Sequence, residues 1–327
     1  MARSIALLVL ALALAVDLGC SGARPASVDA GPEVGVGHRV LTKVIDNAPW
    51  KGLQHVGGMA VDAQNRVYFE DTENVWLVDG QNVTKYLTLA EATAQIPPTV
   101  TAYISDLDRG PDGLIYVAVS GFGDMGNLIA AVLRSSSPHV VQRWLDVSSI
   151  NAARMSVVAA DRVAVVNVGG LYAASLTGQT LAYPNAMLDN AENCAAQDLT
   201  AAPTGTFLYQ PGCNGSPLYR GNVDGSGVAK VTGFNLSHIC TARDPKGGFY
   251  IVVDDFPPGA TRIYHLADGA TDAADATLVE TTPSLAEVAQ MEMMRVDPVL
   301  FMFCSMAAAS DGTLFLQTFQ QLWRVSP

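Results

Sequence analysis

Five polar side chains stand where short runs of small residues begin: His55 in "QHVGGMAVD", Asp106 in "ISDLDRG", Arg154 in "ARMSVVA", Asp198 in "AQDLTAA" and His238 in "HICTARDP". Two carboxylates, two imidazoles and a guanidinium converging on one mouth could hold a divalent cation such as Ca or Zn, or poise a water for attack. The alternative is architectural: Asp106 and Asp198 accept backbone N–H bonds and Arg154 pairs with one of them across an axis. Either reading requires that residues far apart in sequence meet, so the elements that carry them decide the matter.

Those elements repeat. An apolar triplet follows a tight turn six times: "NRVYF" at 65, "DGLIYV" at 112, "DRVAVV" at 161, "GTFLY" at 205, "GGFYIV" at 247 and "DGTLFL" at 311. The turn residues Asn65, Gly113, Asp161, Gly205, Gly247 and Gly312 lie 48, 48, 44, 42 and 65 positions apart. Asn, Asp and Gly tolerate the positive φ of a two-residue hairpin. A second apolar strand follows each triplet and sets up one column: Trp76, Leu133, Tyr172, Tyr219, Tyr264 and Trp323. A further turn and a more polar strand complete the unit. Four short strands in ~40–50 residues is the period of a propeller blade. Middle strands that are apolar on both faces fit sheets covered on both sides. Small residues suit the innermost strands, which crowd the axis, and the aromatic column would fill the wedges between blades.

The predicted fold is therefore all-β: a six-bladed β-propeller of four-stranded antiparallel blades over residues 38–327. The sixth unit ends after "LWRVSP" with no outer strand. One apolar strand is left over, "HRVLTKVID" at 38–46, and pairing it beside "LWRV" closes the ring and covers a bare edge. Two inserts read as short helices. One has Thr88-x-x-Glu91 with Pro97 as a stop; the other, "TTPSLAEVAQMEMM", has Ser284-x-x-Glu287.

The chain carries a net charge of −12, which repels nucleic-acid phosphate and anionic bilayers. Residues 1–19 have signal-peptide proportions, with an apolar run from Ile5 to Val16 too short to span a bilayer. "DLGC" resembles a bacterial lipoprotein box in which Cys20 is lipidated, although Asp17 stands where that family has Leu. Residues 20–37 read as a Gly/Pro/Ala/Ser tether. The expected location is the cell envelope or the exterior, with membrane contact only through the lipid. Export permits disulfides. Blade geometry pairs Cys194 with Cys213 and Cys240 with Cys304; Cys213–Cys240 is the competing pairing. The methionines Met291, Met293, Met294, Met302 and Met306 read as gap-filling core under a helix. GxSxG, HExxH, a phosphate-binding GxGxxG context and a calcium loop are all absent.

"GGMAVDAQNRVYFEDTENVWLVDG" and "ASDGTLFLQTFQQLWRVSP" resemble the NHL and gluconolactonase-like group of six-bladed propellers. The resemblance implies the fold, and it implies a metal-dependent lactonase activity in some members. The enzymes of that group bind a divalent metal in the central channel through a first-blade acid and later Asn and Asp residues. Near the first-blade position this chain has Gln54 and His55, and the later "NGL"-like motif is missing, so no metal ligand carries over and no cofactor is assigned. The functional expectation is a monomeric, exported module that binds an envelope protein or small molecule at the channel mouth. A lactonase-like hydrolase using Asp106, Asp198 and His238 is the alternative, and a quinoprotein dehydrogenase has only the fold in its favour.

Overall fold

A computed structural model describes residues 40–45, 58–148, 154–159, 162–167, 170–175, 180–182, 196–202, 204–211, 217–234, 239–254, 260–283, 305–317 and 321–327. Its strands form six separate four-stranded antiparallel sheets. Blade 1 contains β2 (Met59–Val61), β3 (Val67–Glu70), β4 (Asn74–Asp79) and β5 (Asn82–Thr88). Blade 2 contains β6 (Thr101–Arg109), β7 (Ile115–Phe122), β8 (Leu128–Ser137) and β9 (Val140–Asp146). Blade 3 runs through β10 (Arg154–Ala159), β11 (Arg162–Asn167), β12 (Gly170–Ser175) and β13 (Thr180–Ala182). Blade 4 has β14 (Ala196–Ala201), β15 (Thr206–Pro211), β16 (Leu218–Asn222) and β17 (Ala229–Val231). Blade 5 has β18 (Ile239–Arg243), β19 (Phe249–Asp254), β20 (Ala260–Leu266) and β21 (Thr277–Pro283).

Blade 6 is built from both ends of the propeller. β22 (Ser305–Ala308), β23 (Leu314–Gln317) and β24 (Leu322–Ser326) are completed by β1 (Val40–Ile45), which pairs antiparallel to β24 with Leu41 opposite Val325 and Lys43 opposite Trp323. The Lys43 ammonium lies 5.1 Å from the Trp323 ring centroid, a cation–π contact across the joint. The innermost strands touch in the order β2, β6, β10, β14, β18, β22 and back to β2, so the ring is closed.

Sequence chemistry explains these elements. The first turn of the blade has a left-handed residue in every copy that is described: Asn65 at φ 61, Gly113 at 82, Gly205 at 86, Gly247 at 115 and Gly312 at 91. In blades 1, 2, 4, 5 and 6 the connection is not the expected two-residue hairpin, whereas in blade 3 Ala159 pairs with Arg162. Asn65 N–H bonds Asp62 O at 3.0 Å and Asp62 N–H bonds Arg66 O at 3.0 Å, leaving a three-residue loop that needs only one positive φ. The Thr88 capping box is present: Thr88 Oγ1 accepts from Glu91 N, and Glu91 Oε2 accepts from Thr88 N, starting helix α1 (Leu89–Thr93). The Ser284 helix lies outside the described residues. No helix among the described residues is long and apolar enough to cross a membrane.

The core is divided into six clusters, one in each wedge between blades. Each receives one member of the expected column: Leu133 between blades 1 and 2, Tyr172 between 2 and 3, Tyr219 between 3 and 4, Tyr264 between 4 and 5, Trp323 between 5 and 6, and Trp76 between 6 and 1. Cys240 is buried in β18 and carries a disulfide. Cys20, Cys194, Cys213 and Cys304, and with them both expected pairings, lie outside the described residues.

Candidate functional site

Strand polarity fixes the mouth. Each innermost strand starts at one face of the disc and runs toward the turn that carries Asn65 or its counterpart. Asp106 in the second half of the long strand β6, Arg154 at the start of β10 and Asp198 near the start of β14 occupy corresponding positions, opposite Ala118, Val166 and Gln210 respectively. In β6 and β14 the register slips just before the acid, between Ile104 and Asp106 and between Ala196 and Asp198. A β-bulge bends a strand and re-aims the side chain beside it. Here it turns each carboxylate onto the next blade.

Both acids are fully engaged there. Asp106 Oδ2 accepts from Met155 N–H of blade 3 at 2.7 Å, and its Oδ1 accepts from Leu107 N–H at 2.9 Å. Arg154 Nη1 lies 3.9 Å from Asp106 Oδ1, both side chains being buried. Asp198 Oδ2 accepts from Thr241 N–H of blade 5 at 2.6 Å and from Thr241 Oγ1 at 2.8 Å, while Oδ1 accepts from Leu199 N–H at 2.9 Å. Of the five candidates, the structure brings Asp106 and Arg154 into contact, with Asp198 close enough to feel the Arg154 charge. His55 and His238 lie outside the described residues.

Burial sets the electrostatics. Loss of water pushes the Asp106 carboxyl up to about 7, against the pull of Arg154 and the Met155 N–H. Asp198 is raised for the same reason, with its Thr241 bonds and Arg154 opposing.

A third raised carboxyl belongs to a residue that sequence reasoning passed over. Glu70 ends β3 with no exposed surface. Burial raises its carboxyl to about 8, opposed by the Thr72 N–H, and the nearby Asp106 charge raises it further. The approach of Asp106 depends on Gly58, one step beyond the Met59–Phe69 pair and so beside Glu70: a Cβ at Gly58 would meet Leu107 O at 2.0 Å and Asp106 Oδ1 at 2.3 Å. The missing side chain lets blade 2 close onto blade 1 and places two acids in one wedge. Glu70 Oε2 accepts from Thr72 N–H at 2.6 Å, whereas Oε1 has no hydrogen-bond partner. Thr72 is held at φ 63, a left-handed conformation costly for a β-branched residue. The loop bears that strain because Asp71 accepts from Glu73 N, Asn74 N, Asn74 Nδ2 and Trp76 Nε1, and Ile104 N–H ties Thr72 O to blade 2. The readable signal was a Glu at the strand-end position where blades 4 and 6 have Gln210 and Gln317.

One turn deeper, a second polar layer spans the axis. Arg243 at the end of β18 in blade 5 reaches blade 2, the opposite member of a six-blade ring. It donates to Asp108 Oδ1 at 2.7 Å, to Asp108 Oδ2 at 3.3 Å, to Val157 O at 3.1 Å and to Arg109 O. Asp108 also accepts from Ser156 Oγ and Val157 N–H of blade 3, and Ser156 Oγ accepts from Ala201 N–H of blade 4 at 2.9 Å. The bridge crosses the channel near the face opposite the mouth.

The described members of this set, Asp106, Arg154 and Asp198, do not by themselves fit a divalent cation. The carboxylate oxygens of Asp106 and Asp198 already take N–H and O–H donors, and a guanidinium stands beside Asp106. Among the described residues no group of three or more His, Cys, Asp or Glu side chains is placed to ligate a metal.

No family model matches the chain, and no curated protein matches it. Solved structures similar to it are propellers. A streptogramin B lyase structure superposes with a TM-score of 0.53 at 11% identity, over 88% of this chain and 97% of that one. A gluconolactonase from Xanthomonas campestris gives 0.53 at 13%, over 89% and 90%. The soluble aldose sugar dehydrogenase from Escherichia coli, in its apo form, gives 0.53 at 11%, over 88% and 99%. At such identities the likeness is one of fold.

Proposed function

We propose that this protein is an exported six-bladed propeller, held in the cell envelope through a lipid on Cys20 or secreted, that binds a small molecule or an envelope protein at its channel mouth and does not transform it. The observation that carries this reading is the commitment of Asp106 and Asp198 to the backbone and side-chain donors of the next blade. Groups that a hydrolase would need free are spent on holding the ring. The bridge from Arg243 to Asp108 supports a cup open at one face, and a concave axis is where a ligand gains most contact. Export follows from the reading of residues 1–20, and mass spectrometry of the mature N-terminus tests it: an unprocessed Met1 would remove both the anchor and the envelope from the proposal.

The competing reading is a metal-dependent lactonase. An acid raised to about 7, as Asp106 is, has the protonation balance a general base needs near neutral pH. Elemental analysis of the purified protein separates the two. The binding module is expected to hold no stoichiometric divalent ion and to melt at the same temperature with and without chelator. One ion per chain, lost in Asp106→Ala together with hydrolysis of an added lactone, would replace the proposal with the enzyme.

A further inference from the structure

On the face away from the mouth, a cavity of about 420 Å³ opens between blade 1 and blade 6, beside the joint made by β1 and β24. Its size falls in the range of small-molecule sites. Val67, Val78 and Phe315, all buried, give it an apolar floor. Two charges of opposite sign stand on its two walls. Asp79, at the end of β4, belongs to blade 1; Arg324, in β24, belongs to blade 6. Both are exposed; Asp79 lies near enough to Arg66 for each to feel the other's charge, and no direct ion pair or side-chain hydrogen bond of Asp79 or Arg324 occurs among the described residues. Between them Asn65 Nδ2 donates to Asp311 Oδ2 at 3.1 Å, and Thr313 N–H donates to Asp311 Oδ1 at 2.9 Å, so that acid is already occupied.

We infer that this cleft is a binding site for a small zwitterion, an α-amino acid with an apolar side chain, whose ammonium meets Asp79, whose carboxylate meets Arg324 and whose side chain rests on Val67, Val78 and Phe315. The charge pattern selects that class. A simple anion would face Asp79 and a chain of net charge −12; a simple cation would face Arg324, with Arg66 already acting on Asp79 and Asp311 turned to Asn65 and Thr313. A molecule that carries both charges satisfies both walls, and a planar guanidinium is well suited to a carboxylate. A ligand here also touches Val44 of β1 and so spans the ring closure; binding to the folded state alone raises thermal stability. The site is independent of the mouth and of what the mouth binds.

Calorimetric titration with L-leucine tests the inference, with 4-methylpentanoate and 3-methylbutylamine as analogues that each lack one charge. One L-leucine per chain is expected, with an upward shift in melting temperature and no measurable binding of either analogue. Arg324→Gln and Asp79→Asn should each weaken binding ~10-fold or more, the loss of one charge-assisted contact. Both positions are exposed, so the ligand-free melting temperature of each variant should match that of the parent chain. Failure of L-leucine to bind, equal binding of either analogue, or affinity unchanged in both variants would overturn the inference.

Discussion

Asp108→Ala is expected to lower the unfolding free energy by ~3 kcal/mol, the lower end of the cost of breaking a buried ion pair, because Arg243 is only partly buried. Asp108 is 9% exposed and collects five donors: Arg109 N–H, Val157 N–H, Ser156 Oγ and both terminal nitrogens of Arg243. Those donors come from blades 2, 3 and 5, so the one carboxylate ties adjacent blades and spans the axis. Its removal leaves the Arg243 guanidinium without its counter-charge. Arg243→Met should cost less, because Asp108 then keeps its three donors from blades 2 and 3. Urea denaturation measures both. A loss below ~1 kcal/mol in Asp108→Ala would mean that the cross-axis bridge holds nothing that packing does not already hold.

The second large effect is a pH dependence with an unusual sign. Folding raises Glu70 from 4.5 to about 8 and Asp106 from 3.8 to about 7. Between the ordinary and the raised values the folded chain holds protons that the unfolded chain releases. The stability these groups contribute is therefore full below about pH 4 and is lost as pH rises through 7 and 8, with a limiting slope of about 1.4 kcal/mol per pH unit for each proton. Glu70→Gln keeps the shape and cannot ionise. It should be closest to the parent chain at pH 5, clearly more stable at pH 9, and flatter between them. Other groups feel the pair, namely Asp71 and Arg154 around Glu70, and Arg154, Asp108 and Asp198 around Asp106; all are present in both proteins, so the difference between the two curves reports Glu70. Parallel curves from pH 5 to 9 would show that Glu70 ionises as an ordinary exposed acid does.

The ring was legible in the sequence because its determinants are local and repeated. Each described first turn shows the left-handed residue, in blades 1, 2, 4, 5 and 6, and each wedge takes one side chain from the column that runs from Trp76 to Trp323. The count of strands left one apolar segment for one bare edge, and Val40–Ile45 is found on it. A local capping box placed α1 equally well. The site was legible only in part, because its determinants are not local. That Asp106 and Asp198 meet backbone donors was one of the two readings open to them, but bulges at the preceding residues aim them there, and a bulge leaves no mark in an alternating pattern. Glu70 matters because an absent side chain at Gly58, twelve residues earlier in sequence and beside it in space, lets Asp106 approach. Arg243 pairs with a residue 135 positions away, on the far side of the axis. Nothing in either segment names the other. The turn type differs from expectation in blades 1, 2, 4, 5 and 6 for a simpler reason: Asn and Gly at one position satisfy both a two-residue loop and a three-residue loop that ends in a left-handed residue.

The central claim is that the mouth acids are fastenings between blades. Amide hydrogen exchange at Met155 and Thr241 tests it most directly, in the parent chain and in Asp106→Ala and Asp198→Ala. The account predicts strong protection at both amides in the parent chain. Protection should be lost selectively at Met155 in the first variant and at Thr241 in the second, and added divalent metal should change neither. Protection that survives both substitutions, together with a metal-induced stabilisation that the variants abolish, would contradict it and return these carboxylates to the service of a bound ion.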